Sequence, residues 1–112
     1  MQEIIVPPMV QTPPQTNITD LLLRHARSTA NPALLSKPGP NGSWIDISAS
    51  EFAADASALA KGFIASGIEP GGRIGLMART RYEWTLVDFA IWFAGCVTVP
   101  VYETSSPSQV AW

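Results

Sequence analysis

Between Asp88 and Glu103 the chain carries no charged side chain, although single charges dot the rest of it. This stretch, DFAIWFAGCVTVPVYETSS at residues 88–106, constrains the fold more than any other. A membrane span needs about 20 continuous apolar residues, and this shorter run is broken by Gly95 and Pro100. It reads instead as interior structure: a helix from about 81 to 94 closed by Gly95, then VTVPVY as a strand. On that helix Trp84, Ile91 and Gly95 share a side with Asp88, while Leu86, Phe89, Ala90 and Phe93 occupy much of the other. A surface helix keeps a broad polar face, whereas one apolar nearly all round is buried. VTVPV is apolar on both pleat faces, as expected of a parallel strand covered by helices on each side. Pro100 cannot donate to a ladder and belongs at a strand end or bulge.

The preceding residues supply partners for this run. RIGLMA follows the turn EPGGR and has strand character, and Thr80 and Glu83 stand at the spacing of a capping box for the helix that follows. Strand, helix and strand with so short a crossover form a βαβ unit, which predicts two parallel strands. Ser48 and Glu51 have the same capping-box spacing. Phe52, Ala56, Leu59 and Phe63 then fall on one helical face, Gly67 fits the C′ position, and Pro70 follows. Burial of Phe52, Leu59 and Phe63 contributes roughly 1.5–3 kcal/mol each before entropy is counted.

Upstream, ALLSK and SWIDIS flank PGPNG and predict a hairpin with a longer loop. A helix is expected from residue 17 to about 30. Asn17 or Thr19 is its N-cap, Ile18, Leu22 and Ala26 lie on one face, and Asn31-Pro32 stops it. Residues 1–16 include four prolines within PPMVQTPPQT and read as an extended arm. At the other end Ser106-Pro107-Ser108-Gln109 announces one more helix. Two helices and a hairpin are too little cover for the apolar helix and strand. Residues 17–112 are therefore expected to be the opening section of a larger α/β domain, with an apolar surface bare when taken alone.

Several function classes are excluded or disfavoured. Seven Lys plus Arg, scattered singly in a chain of net charge -2, offer no basic stripe for nucleic acid. Cys96 is the single cysteine, so neither an internal disulfide nor a cysteine-cluster metal site is available. No charged and apolar leader pattern opens the sequence, and the expected compartment is the cytoplasm. His25 lacks a second ligand or triad partner, and Cys96 sits in apolar surroundings. The glycines of Gly71-Gly72-Arg73-Ile74-Gly75 precede a strand, whereas a dinucleotide loop places them between strand and helix. Arg79, Arg81 and Glu83 could face an anion, or simply form a solvated helix start. Tyr102-Glu103-Thr104-Ser105-Ser106 lies at the C-terminal end of a parallel strand, where ligands commonly bind. Its plain alternative is a strand-to-helix loop in which Ser106 caps. No pair makes an acid–base or nucleophile–base constellation.

From residue 43 onward the order of pieces resembles the beginning of AMP-forming acyl-CoA synthetases, most of all bacterial long-chain fatty-acid–CoA ligases. The stretches that carry it are SWIDISASEF, LAKGFIASGIEPGGRIGLMARTRYEW, DFAIWFAGCVTVPVYETSS and SQVAW. RYEW and PVYETSS belong to the long-chain branch. Gly72 departs from the family pattern, which has aspartate in a Gly-Asp-Arg turn. The resemblance implies the opening of the large N-terminal domain of an adenylate-forming enzyme. It also implies a reaction in which ATP and a fatty acid give acyl-adenylate and pyrophosphate, and coenzyme A then displaces AMP, with Mg2+ assisting. Implied partners are fatty acid, ATP, CoA and the remainder of the ligase chain, and peripheral membrane contact is compatible with them. The family's phosphate loop and other catalytic segments have no counterpart here, so no catalytic, cofactor-binding or metal residue is assigned. The alternative is a small non-catalytic α/β interaction module that pairs with another chain through its apolar helix.

Overall fold

A computed structural model describes residues 4–111. The first three residues of the expected arm, and Trp112 at the end of the expected last helix, lie outside these. Residues 4–16 form no helix or strand and are exposed throughout. Helix α1 runs Ile18–Ala26 and is shorter than expected. Asn17 is its N-cap: its Oδ1 accepts from the Thr19 amide at 2.9 Å, and the Asn17 amide donates to Asp20 at 2.8 Å. The helix ends early because Arg27 takes the C-cap and Ser28 begins a turn that closes on Asn31.

Strands β1 (Ala33–Pro38) and β2 (Trp44–Ser48) pair antiparallel across a 3-10 turn at Pro40–Gly42. Asn41 and Gly42 both adopt positive φ there, 56° and 75°. Asparagine and glycine tolerate that region best, which is why this dipeptide occupies the turn. Helix α2 (Ala49–Ala65) follows directly, with Ser48 and Glu51 in the expected capping box. Both long helices close in the same way. Gly67 at φ 85° donates to the Ile64 carbonyl and Ile68 to Phe63, a Schellman motif. Gly95 at φ 72° donates to Trp92 and Cys96 to Ile91 at the end of helix α3 (Tyr82–Phe93).

Strands β3 (Arg73–Met77) and β4 (Val97–Val101) pair in parallel register, Arg73 opposite Val97 through Met77 opposite Val101. The hairpin and the βαβ unit are thus both present, as two separate two-stranded sheets. A short helix α4 (Pro107–Ala111) ends the described chain, and Ser106 and Gln109 exchange the expected cap hydrogen bonds. Two apolar clusters meet along α2 and α3. In one, Ala60, Ala90, Ile91, Ala94 and Cys96 are buried, with Ile74 of β3 against them. In the other Phe52 packs edge-on against Tyr82 and Phe89, beside Leu22 and Ile47.

Two expectations need correction. The capping box of Thr80 and Glu83 does not form: Arg81 is the N-cap and makes no side-chain cap bond. The Glu83 carboxylate is held by the Arg81 guanidinium instead, and that pairing removes it from the helix amides. Nor is β4 covered on both faces in this chain. Ile74 and Leu76 point to the helices, but Val97 and Val99 on the opposite face are 51% and 40% exposed, beside Met77. Pro100 is the penultimate residue of β4, a strand at a sheet edge here, so its missing N–H breaks no ladder beyond it.

Candidate functional site

Parallel strands place their following loops at one end, and here that end is a cleft of about 490 Å³. The loop after β3 contributes Ala78, Arg79 and Thr80, and the end of β4 with its loop contributes Pro100 through Thr104. Trp84, in the first turn of α3, lines it as well. Arg79 Nε donates to Glu103 Oε2 at 3.0 Å and ties the two loops across 24 residues of sequence. Both side chains are largely in water, 83% and 46% exposed, so the tie contributes little stability.

A second cleft adjoins the first and shares Arg79 and Thr80 with it. Its far wall is the hairpin, through Ser36, Lys37, Pro38 and Trp44. Lys37 Nζ stands 4.8 Å from the centroid of the Tyr82 ring, a cation–π approach. The Tyr82 hydroxyl donates to Asp55 at 3.4 Å. Burial, and then the Asp55 carboxylate, push the Tyr82 phenol above its ordinary range, so it stays protonated. The hydrogen bond from Arg81 holds the Glu83 carboxyl below the usual carboxylate range, and Glu83 raises Arg81 in turn.

The structure thus unites two groups that the sequence analysis weighed separately, Arg79 with Arg81 and Glu83, and Tyr102 with Glu103 and Thr104. The pairing of Arg79 with Glu103 had no local signal, because 24 residues separate them. Other candidates stay apart from the clefts. His25 is exposed on α1 and borders a small apolar pocket with Leu21, Leu34 and Phe89. Cys96 is buried, and its thiol donates weakly to the Glu69 and Ala94 carbonyls. The Gly71-Gly72 turn lies at the other end of the β3–β4 sheet. Its amides are already engaged, Gly71 with the Gly95 carbonyl at 2.7 Å and Gly72 with Glu69 at 3.0 Å.

A nucleotide phosphate needs free converging amides or uncommitted cations. The glycine turn lacks the first, and in the cleft Arg79 and Arg81 each already hold a carboxylate. The residues present therefore do not build a nucleotide site on their own. Among the described residues no three His, Cys, Asp or Glu gather as a metal site, and no helix is long and apolar enough to cross a membrane.

An α/β section with a parallel strand pair and its helices, ending in this cleft, agrees with the comparison to known sequences. The profile of the AMP-binding enzyme family matches residues 23–112, and the chain belongs to that family. Over all 112 residues it is 38% identical to the long-chain-fatty-acid–CoA ligase FadD15 of Mycobacterium bovis, of which it spans 18%. Its fold matches a Rhodopseudomonas palustris protein assigned to the long-chain-fatty-acid CoA ligases, with TM-score 0.74 at 19% identity. That match covers 86% of this chain and 23% of the other. The fatty acid AMP ligase of Legionella pneumophila matches with TM-score 0.69 at 20% identity, covering 81% of this chain and 16% of that one. The fold is a small portion of the α/β architecture of adenylate-forming enzymes.

Proposed function

We propose that this chain is the opening section of the large domain of a long-chain fatty-acid–CoA ligase. The complete enzyme joins fatty acid to coenzyme A at the expense of ATP, releasing AMP and pyrophosphate with Mg2+ assisting, in the cytoplasm. Residues 1–16 are its leading arm, and residues 17–112 are the incomplete domain. The chain's share is architectural. It supplies the hairpin, the βαβ unit and the loops of the cleft, while the groups that bind ATP and CoA and perform the chemistry come from elsewhere in the polypeptide.

The observation that carries this reading is identity of 38% along the whole chain to a ligase of which it spans only 18%. The bare face of the β3–β4 sheet supports it, because Met77, Val97 and Val99 suit a buried layer better than water. Helix α3, which an interaction module would offer to a partner, already buries Ala90 and Ile91 within the chain.

The test compares this chain with the polypeptide encoded by the complete reading frame, in a pyrophosphate-release assay with ATP and palmitate. The complete polypeptide is expected to release pyrophosphate only with fatty acid present, and residues 1–112 alone to release none. Release by residues 1–112 alone, or its absence from the complete polypeptide, overturns the reading.

A further inference from the structure

Asp88 stands on α3 one turn from Trp84 and one turn from Trp92, all three on one flank. On the helical wheel this flank falls between two packed sides. Thr85 and Phe89 border α1 on one side, and Ile91 joins Ile74 in the core on the other. Asp88 is 9% exposed, yet neither ion pair found among the described residues involves it, and no hydrogen bond reaches its carboxylate. A second polar group in the same layer is also unmatched. Thr98 lies in β4 opposite Ile74, on the face turned toward α3, and its Oγ1 is buried with no hydrogen-bond partner.

Two unmatched polar groups in one layer are a strong chemical signal. A hydroxyl withheld from water costs free energy unless it is hydrogen-bonded, and a carboxylate costs more unless it is paired. Indole faces on both sides of the carboxylate narrow the choice of partner. A guanidinium stacks on such faces and reaches a carboxylate with two N–H groups, whereas an ammonium is a hydrated point charge. We propose that the α3–β4 flank is a docking surface for an arginine-bearing segment outside residues 4–111. Its guanidinium enters between Trp84 and Trp92 to pair with Asp88, and the same segment satisfies the Thr98 hydroxyl. That this segment belongs to the ligase polypeptide rests on the function proposed above; the need for a cation does not.

The test is denaturant unfolding of the polypeptide from the complete reading frame, with Asp88→Asn, Asp88→Glu and Thr98→Val. Asp88→Asn is expected to lower the folding equilibrium constant on the order of a hundredfold, with partial recovery in Asp88→Glu. Thr98→Val, a milder change, is expected to cost about tenfold. In residues 1–112 alone, where the arginine is missing, neither Asp88→Asn nor Thr98→Val lowers the constant. Unchanged stability of both variants in the complete polypeptide overturns the proposal. Equal losses in both proteins also overturn it, because the partner would then lie inside this chain. Dimerisation of residues 1–112 that Asp88→Asn abolishes replaces the proposed occupant with a second copy. A complete polypeptide that forms no acyl-adenylate but shows the predicted losses refutes the ligase reading and leaves the arginine contact standing.

Discussion

Ser48 and Glu51 hold the start of α2 by bonding in both directions. The Glu51 amide donates to Ser48 Oγ at 3.3 Å, and the Ser48 amide donates to Glu51 Oε2 at 2.9 Å. Ser48→Ala is expected to cost about 1 kcal/mol of unfolding free energy, measured in urea. The Ser48 hydroxyl, then its amide, keep the Glu51 carboxyl below its ordinary 4.5. A depressed folded value means that the stabilisation is present above about pH 4.5 and is lost as pH falls through the lower folded value. The melting difference between wild type and Glu51→Gln should therefore be largest near neutrality and shrink in acid. Gly72 answers a different question, the aspartate missing from the family's turn. A Cβ at this position would lie 2.9 Å from the Glu69 carbonyl oxygen and 3.3 Å from Ile68 Cγ2. Gly72→Asp is thus expected to lower the melting temperature here, although it restores the family residue. Equal or higher stability would show that the turn relaxes readily.

At the scale of elements, the periodic signals were legible and the competitive ones were not. Phe52, Ala56, Leu59 and Phe63 fell on one face of α2 as their spacing requires, and Gly67 and Gly95 closed their helices with left-handed backbone. The start of α3 could not be read, because Thr80 and Arg81 compete for the same glutamate and the stronger charge wins. The cleft was half legible: strand order announced its position, but its Arg79–Glu103 tie depends on two loops meeting in space. The two faces of the structure should respond oppositely to substitution. Phe52→Ala, at a side chain 1% exposed, is expected to cost about 3–5 kcal/mol. The double change Val97→Thr with Val99→Thr should alter the stability of residues 1–112 little, and should reduce their binding of an apolar-surface dye. In the complete polypeptide the same pair should be destabilising, since the sheet face is then covered.

For the molecule as a whole, the radius of gyration is 17.4 Å, against about 13 Å for a folded chain of this length. Residues 4–16 account for much of the excess, as they lie outside the packed elements and expose Ile4, Ile5, Val6, Met9 and Val10. Small-angle scattering of the chain without residues 1–16 should fall toward about 13 Å while its helical signal is retained. A radius that does not fall would place the expansion in the packed elements instead.

The tie between the two glycine turns bears on how this chain is made. Gly71 donates to the Gly95 carbonyl, and Val97 donates to Gly72, so the parallel pair is already clamped where both strands begin. A nascent chain leaving the ribosome needs nothing after β4 to close that clamp. The register of these two strands can therefore be decided during synthesis, and later segments would meet a template whose alignment is no longer negotiable.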